Sequence, residues 1–341
     1  MNYNDRVIVY TVIIFIRKAN IMATVYLSAK LPKVATEILN KAAIHYEVFD
    51  GTGLISKDEL IKHVKDCKVL ITPLSTQVDQ EVIDAAPKLK LIANFGAGFN
   101  NIDVKYARSK GIDVTNTPFV SSTATAEVAS GLVIALMRRI VEGDRVMRSV
   151  GFDGWAPLFF LGHELAGKTL GIVGLGSIGR GVAQRLHAFN MKIIYTQRHQ
   201  ADPATEAQYS AEYVTLDELL KRSDVVTLHC PLTPETHHLI DAPQFAMMKD
   251  SAFLINCARG PVINEAALLQ ALQEHKLAGA ALDVYEAEPN VADGFKKLDN
   301  VILTPHIGNA SFEARDAMAE IVATNAVNVL NGEAAKYIVN R

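Results

Sequence analysis

The chain has 341 residues, 49% hydrophobic and 21% charged, with a formal net charge of −3. This excludes a disordered chain and a small stapled scaffold, and it leaves room for two domains with separate cores. A slightly acidic balance offers no field to nucleic acid or to an anionic membrane. The three cysteines, Cys67, Cys230 and Cys257, are widely spaced and lack a metal-ligand pattern. Small-molecule partners, a reducing cytoplasmic setting and no bound metal are therefore expected.

Residues 7–16 form an apolar run followed by Arg17 and Lys18. The run is far shorter than the roughly 20 residues of a membrane-spanning helix. Its basic pair follows it, whereas a secretory signal carries charge in front. Met22 opens a second plausible start, so residues 1–21 read as an N-terminal extension without a catalytic role.

From Ala23 onward, short β-rich apolar runs alternate with segments of helical period, the pattern of βαβ units and parallel sheets. Strands are predicted at 24–28, 46–50, 69–72, 89–94 and 112–116, with helices at 34–43, 56–65, 80–86 and 104–110. One long helix is predicted from 124 to about 150, followed by a loop at 151–162 containing Gly, Trp and Pro. A second series has strands at 169–173, 192–196, 225–229, 252–256, 280–284 and 301–304. Its helices are predicted at 178–189, 216–222, 244–248 and 265–275. A last helix, 312–330, is stopped by Asn331-Gly332.

The strongest local motif is Gly174-Leu175-Gly176-Ser177-Ile178-Gly179, placed after a strand and opening a helix. Its glycines allow a tight turn, close approach of a pyrophosphate, and close packing of the helix on the sheet. The free N–H groups of the first helical turn, at Ser177 and Ile178, favour phosphate. The next strand ends in Gln197-Arg198-His199, with no carboxylate to bind the two ribose hydroxyls of NAD. Arg198 instead suits a 2′-phosphate, so NADPH is expected in preference to NADH, which can also serve. The plainer reading makes Arg198 and His199 a solvated loop.

Three segments follow successive predicted strands: residues 256–260, 282–289 and 304–308. They contain Arg259, Glu288 and His306. Reduction of a 2-oxo acid needs a cation for the carboxylate and developing alkoxide, a proton donor, and a group that keeps the donor protonated. Arg, His and Glu supply these in kind. Taken singly, each reads as a surface or core residue. Their joint placement behind a dinucleotide motif points to chemistry. Cys230 and Cys257 read as small apolar fillers beside the cofactor, and His229, His237 and His238 receive no catalytic role.

Five segments in order, GLGSIG, CPLTPET with Cys230 and Pro231, NCARG, LDVYEAEP and TPHIG, make the chain resemble the D-isomer-specific 2-hydroxyacid dehydrogenase family over nearly all of 22–341. The resemblance implies that Arg259 binds and polarises the substrate, that His306 is the acid/base and that Glu288 is its partner. It implies cofactor contacts at Gly174, Gly176, Ser177, Ile178, Gly179, Cys230, Pro231, Ala258, Gly308 and Asp283, the last at the nicotinamide carboxamide. Ala97 and Gly98, in the loop 95–98, would present N–H groups to the substrate carboxylate, and Leu74 and Ser75 would line the substrate side. Residues 153–158 with Leu161-Gly162 look like the glyoxylate/hydroxypyruvate reductase branch, in which this loop belongs to a dimer contact arm. Trp155 would then close the partner's pocket or, equally, pack in its own core.

The expected fold is α/β, with two doubly wound parallel-sheet domains of Rossmann or flavodoxin type and the active site in the cleft between them. Residues 22–121 and 312–341 would form the substrate domain and 122–311 the NAD(P)-binding domain. The expected reaction is NADPH-dependent reduction of glyoxylate or hydroxypyruvate by a cytoplasmic homodimer. The alternatives are a dehydrogenase for bulkier acids such as pyruvate or phenylpyruvate, and a non-enzymatic nucleotide-sensing protein of the corepressor type.

Overall fold

The computed structural model describes residues 24–341, so the expected N-terminal extension lies outside the described residues. The chain divides into two units: residues up to Val120 together with Ser311–Arg341, and Ser121–Ala310.

The first unit runs β1 (Val25–Leu27), α1 (Lys33–Lys41), β2 (Tyr46–Val48), α2 (Lys57–Val64), β3 (Val69–Pro73), α3 (Gln80–Asp84), β4 (Leu91–Phe95), α4 (Val104–Ser109) and β5 (Asp113–Thr115). Its five strands are all parallel, in the order β2-β1-β3-β4-β5. Successive side chains leave a strand on opposite faces, and here both faces are apolar. Val25, Leu27, Val69, Ile71, Leu91 and Ala93 belong to one core, and Tyr26, Leu70 and Ile92 to another. A sheet buried on both sides is the expected habit of parallel strands. Side-chain caps start three of the helices, with Ser56, Asp79 and Asp103 accepting from the N–H groups of Glu59, Val82 and Tyr106.

The second unit runs α5 (Ser122–Met137), α6 (Ile140–Arg148), β6 (Thr169–Val173), α7 (Ser177–His187), β7 (Lys192–Thr196), α8 (Pro203–Tyr209), β8 (Ala211–Tyr213), α9 (Leu216–Arg222) and β9 (Val225–Leu228). It continues with α10 (Ala242–Met247), β10 (Phe253–Asn256), α11 (Glu265–Gln273), β11 (Gly279–Leu282), α12 (Asp293–Lys296) and β12 (Val301–Leu303). Its seven parallel strands follow the order β12-β11-β10-β9-β6-β7-β8. The order reverses between β6 and β9, which makes their carboxyl ends the place where such a sheet binds ligands. The chain then returns to the first unit as α13 (Phe312–Leu330), whose Met318, Ala319, Val322, Ala323 and Ala326 cover one face of the smaller sheet. The expected α/β class with two parallel sheets is therefore the one observed.

The long helix expected at 124–150 is two helices. Arg139 takes a left-handed conformation (φ 56°), and the Met137 carbonyl accepts the N–H of His163 at 2.8 Å. That carbonyl would have served residue 141 in a continuous helix. Gly162 lets the returning chain come this close, since a Cβ there would stand 2.6 Å from the Met137 oxygen. Absent from the predicted elements are α8, β8 and the short α12. Asp202 followed by Pro203 marks the start of α8, with Asp202 accepting from the Thr205 N–H. Among the described residues no helix is long and apolar enough to cross a membrane, and no group of three or more His, Cys, Asp or Glu is arranged to hold a metal ion.

The C-terminal segment is stitched to the smaller sheet by Asn340. Its Oδ1 accepts the Val114 N–H at 2.9 Å, and its Nδ2 donates to the Ile112 carbonyl at 2.9 Å. Asn340→Ala leaves both buried backbone groups unpaired. It is expected to destabilise the first unit by about 1–3 kcal/mol, read as a lower urea midpoint with the far-ultraviolet circular dichroism of the native state unchanged.

Candidate active site

At the carboxyl end of β6, Gly174 sits at φ 97°, and a Cβ there would stand 2.9 Å from the carbonyl of His229. A Cβ on Gly179 would stand 2.2 Å from the Gly174 oxygen, so both positions need glycine for the turn and α7 to touch the sheet. Gly176 differs, because nothing lies within 4 Å of its would-be Cβ. It caps the start of α7 without a side-chain hydrogen bond. The first-turn N–H groups at Ser177 and Ile178 thus open onto free space, which fits a dinucleotide phosphate. The Leu175 N–H donates to Gln197 Oε1 at 2.9 Å, and Gln197 Nε2 donates to the His199 carbonyl at 2.8 Å. This bond fixes the loop after β7 to the glycine turn. Arg198, between those two residues, is exposed. Among the described residues its side chain has no hydrogen-bond or ion-pair partner.

Beside the turn, His229 carries a buried Nδ1 with no partner among the described residues, while its Nε2 meets Thr227 Oγ1 at 2.9 Å. Burial pushes its pKa down to about 3, so the imidazole is neutral at ordinary pH. Cys230 and Cys257 are driven the other way by burial, Cys230 to about 11, and both remain thiols. The Pro231 carbonyl accepts the Thr236 hydroxyl at 2.6 Å, which ties down the start of that loop.

The segment after β10 is shaped by Asn256. Its Oδ1 accepts the Ala258 N–H and its Nδ2 donates to the Arg259 carbonyl, both at 3.0 Å. Arg259 also donates from Nη1 to the Ala258 carbonyl at 2.6 Å. Burial pulls its pKa down and the Glu288 charge opposes this, so the guanidinium is a desolvated cation facing a carboxylate. Gly260 is obligatory because a Cβ would fall 1.9 Å from the carbonyl carbon of Tyr285. Two active-site segments therefore lie backbone to backbone at this point.

Glu288 Oε2 accepts from His306 Nδ1 at 2.8 Å, and Oε1 accepts the Tyr285 N–H at 3.0 Å. Burial works against ionisation of Glu288. The His306 bond and charge, the Tyr285 N–H and the Arg259 charge outweigh it and hold the carboxyl below its usual range. With Nδ1 so engaged, the Nε2 edge of His306 is left to exchange a proton. His306 itself occupies the left-handed region at φ 52°, a conformation that costs about 1–3 kcal/mol for a non-glycine residue. Asp283, 1% exposed, holds it there. Oδ1 accepts the Thr304 hydroxyl at 2.6 Å and the Ile307 N–H at 2.8 Å, and Oδ2 accepts the Gly308 N–H at 2.8 Å. The Tyr285 hydroxyl donates to the Leu282 and Thr304 carbonyls, latching β11 to β12.

The residues expected on the substrate side belong to the first unit. Leu74 is half-buried and Ser75 is exposed. In the loop after β4, Asn94 Nδ2 donates to the carbonyls of Gly96 and Gly98 at 3.1 and 2.7 Å, and Asn116 Nδ2 donates to that of Ala97 at 2.7 Å. Three successive carbonyls are thus turned toward side-chain amides. The N–H groups of Ala97 and Gly98 have no acceptor among the described residues.

Asn94, Asn116 and Gly260 went unnoticed in the sequence; Asn116 and Gly260 act on backbone 19 and 25 residues away, and Asn94 acts through the turn that follows it. Asn309, three residues past His306, went unnoticed too; its buried Oδ1 has no partner among the described residues. Trp155 is 84% exposed, which overturns packing in its own core. It shares the 140–161 stretch with exposed Ile140, Val150, Phe152, Leu158 and Leu161.

A family model described as "D-isomer specific 2-hydroxyacid dehydrogenase, NAD binding domain" matches residues 130–308. A protein named putative 2-hydroxyacid dehydrogenase from Staphylococcus haemolyticus is 54% identical over 320 residues, covering 94% of this chain and all of that one. The TT0316 protein of Thermus thermophilus superposes with a TM-score of 0.87 at 39% identity, over 92% of this chain and 99% of its own. An NADPH-dependent glyoxylate/hydroxypyruvate reductase from Sinorhizobium meliloti, solved with NADP and malonate, gives 0.79 at 30% identity over 94% and 97%.

Asp283→Asn replaces an acceptor oxygen by an NH2 group facing one of three donors. The segment carrying His306 is expected to shift, lowering kcat by about 10²-fold, the effect of misplacing a reacting group by about 1 Å. Steady-state kinetics beside an unchanged far-ultraviolet spectrum checks this.

Proposed function

Because the chain belongs to the D-isomer-specific 2-hydroxyacid dehydrogenase family, we propose that it reduces a small 2-oxo acid, glyoxylate or hydroxypyruvate, with NADPH. The observation that carries this reading is the 2.8 Å His306–Glu288 pair, with the desolvated Arg259 acting on the same carboxylate. Bound NADPH would supply a hydride to the carbonyl carbon of the acid. The Arg259 fork pairs with the substrate and draws charge toward its carbonyl oxygen. His306 gives the Nε2 proton to that oxygen as it becomes an alkoxide, and Glu288 stabilises the imidazolium until then. The neutral imidazole afterwards regains a proton from water. Hydroxypyruvate gives the D-2-hydroxy acid, and glyoxylate gives achiral glycolate.

The glycines 174, 176 and 179 with Ser177 and Ile178 take the pyrophosphate, and Cys230, Pro231, Ala258, Asp283 and Gly308 surround the rest of the cofactor. Arg198 takes the 2′-phosphate, a reading supported by its exposure, by the missing carboxylate after β7 and by the likeness to the NADPH-dependent S. meliloti enzyme. In this scheme 122–311 is the cofactor domain, and 22–121 with 312–341 is the substrate domain, contributing Leu74, Ser75, Ala97 and Gly98. The exposed apolar stretch 140–161 is the contact of a cytoplasmic homodimer, since patches of this kind mark interaction surfaces.

Loss of reduced-nicotinamide absorbance tests the reading, with NADPH and NADH run against glyoxylate, hydroxypyruvate, pyruvate and phenylpyruvate. The two small acids with NADPH should turn over fastest. His306→Gln should cut kcat by about 10²–10⁴-fold while NADPH still binds. Arg198→Ala should raise the NADPH KM by about tenfold or more, the scale of a charged hydrogen bond, and leave NADH unaffected. Preference for phenylpyruvate would discard glyoxylate and hydroxypyruvate and keep the mechanism. In sedimentation equilibrium the native chain should run as a dimer and the Trp155→Asp, Leu158→Asp double variant as a monomer; a monomeric native chain would refute the dimer.

A further inference from the structure

Behind the His306–Glu288 pair stands a carboxylate to which the reaction assigns nothing. Glu265 is the first residue of α11, directly after the Asn264 cap, and is half-buried. Its Oε1 accepts the N–H of Glu286 at 2.8 Å, 21 residues further along the chain. Among the described residues its side chain has no other hydrogen bond and no ion pair. Burial pushes its carboxyl up, the Glu286 N–H opposes this, and the charges of Glu286 and Glu288 add to the rise. Three carboxylates therefore crowd one turn. Glu288 has His306 and the Arg259 charge, and Glu286 Oε1 meets His238 Nε2 at 2.6 Å. Glu265 alone of the three has no cation among the described residues, and only the positive end of α11 eases its charge.

The peptide between Tyr285 and Glu286 is held at both ends. Its carbonyl lies against Gly260, where a Cβ would fall 1.9 Å from the Tyr285 carbonyl carbon, and its N–H is bonded to Glu265. The N–H of Tyr285 donates to Glu288 Oε1 at 3.0 Å, which leaves Oε2 to accept from His306 Nδ1 at 2.8 Å. A chain of single contacts thus runs from the start of α11 to the imidazole. We propose that Glu265 is a positioning residue, which through the N–H of Glu286 fixes the turn 285–288 and with it the aim of Glu288 at His306. This assignment rests on the acid/base reading of His306 given above. Glu265 touches no reacting atom, and it acts as an acceptor oxygen rather than as a charge, because the group it holds is a backbone N–H.

The test compares the native full-length chain with Glu265→Ala, which removes the acceptor, and Glu265→Gln, which keeps an acceptor oxygen without the charge. With the best 2-oxo acid of the panel, Glu265→Ala is expected to lower kcat about 10- to 100-fold, the scale of a misplaced reacting group. Its KM for the acid and for the cofactor should stay within about threefold, and Glu265→Gln should recover most of the loss. A kcat within about twofold of native in Glu265→Ala would overturn the assignment. So would an equal loss in both variants, which marks the charge, or a parallel fall in kcat, cofactor affinity and Tm, which marks a structural role. The nitrogen NMR shifts of the His306 ring, assigned by their absence in His306→Gln, report the bond at Nδ1 without any substrate. They separate this claim from the reading it rests on. If no 2-oxo acid is turned over, that reading fails, and ring shifts that change in Glu265→Ala but stay native in Glu265→Gln still support the positioning role. Shifts unchanged in Glu265→Ala, or changed alike in both variants, refute it.

Discussion

Asp283 is a carboxylate almost without water that accepts from a hydroxyl and two backbone N–H groups of the segment after β12. A buried charge is costly unless its lone pairs are filled, and here they are filled from one direction by one stretch of chain. That stretch includes His306 in a conformation non-glycine residues seldom adopt. Removing the anchor would free the backbone to relax. The histidine's aim and its distance to Glu288 thus follow from a hydrogen-bond cluster that need not touch the reacting atoms. Gly260 applies the same constraint from the other side, by letting the segment of Arg259 lie against the backbone of Tyr285, whose N–H in turn holds Glu288.

The electrostatics of the second unit sort its titratable groups by what surrounds them. Cys230, Cys257 and His229 lie in dry surroundings with no opposite charge, and burial drives each to its neutral form. Arg259 and Glu288 are desolvated too, but each lies within the other's field, and Glu288 also has His306. For this pair, mutual attraction offsets the burial that drives the cysteines and His229 to their neutral forms.

Much of this was legible in the sequence. Short apolar runs alternating with helical segments pointed to both sheets, because parallel strands buried on two faces leave a continuous apolar record. The glycine motif was legible because the turn and the helix start it builds are contiguous in the chain, with Gly179 packed on the Gly174 oxygen. Other features escaped for physical reasons. The break at Arg139 is enforced by His163, more than twenty residues on, which claims the Met137 carbonyl; nothing in the helical composition signals it. Trp155 left two readings open, a partner's pocket and its own core, and only its exposure discards the second. Asn94 and Asn116 read as the last residues of predicted strands until their amides are seen turning three carbonyls aside.

The return of the chain through α13 bears on how the protein is made. The sheet face formed by Val25, Leu27, Val69, Ile71, Leu91 and Ala93 is covered by Met318, Val322 and Ala326. Those covering residues follow the whole of the second unit, Ser121–Ala310. At about 5–20 residues per second on the ribosome, the five strands wait roughly 10–40 s for their cover. The inserted unit, being continuous, can complete its core first. Nascent chains of this protein therefore pass through an interval in which one domain is finished and the other presents an apolar sheet face, the kind of surface that chaperones bind and that concentrated chains use to aggregate.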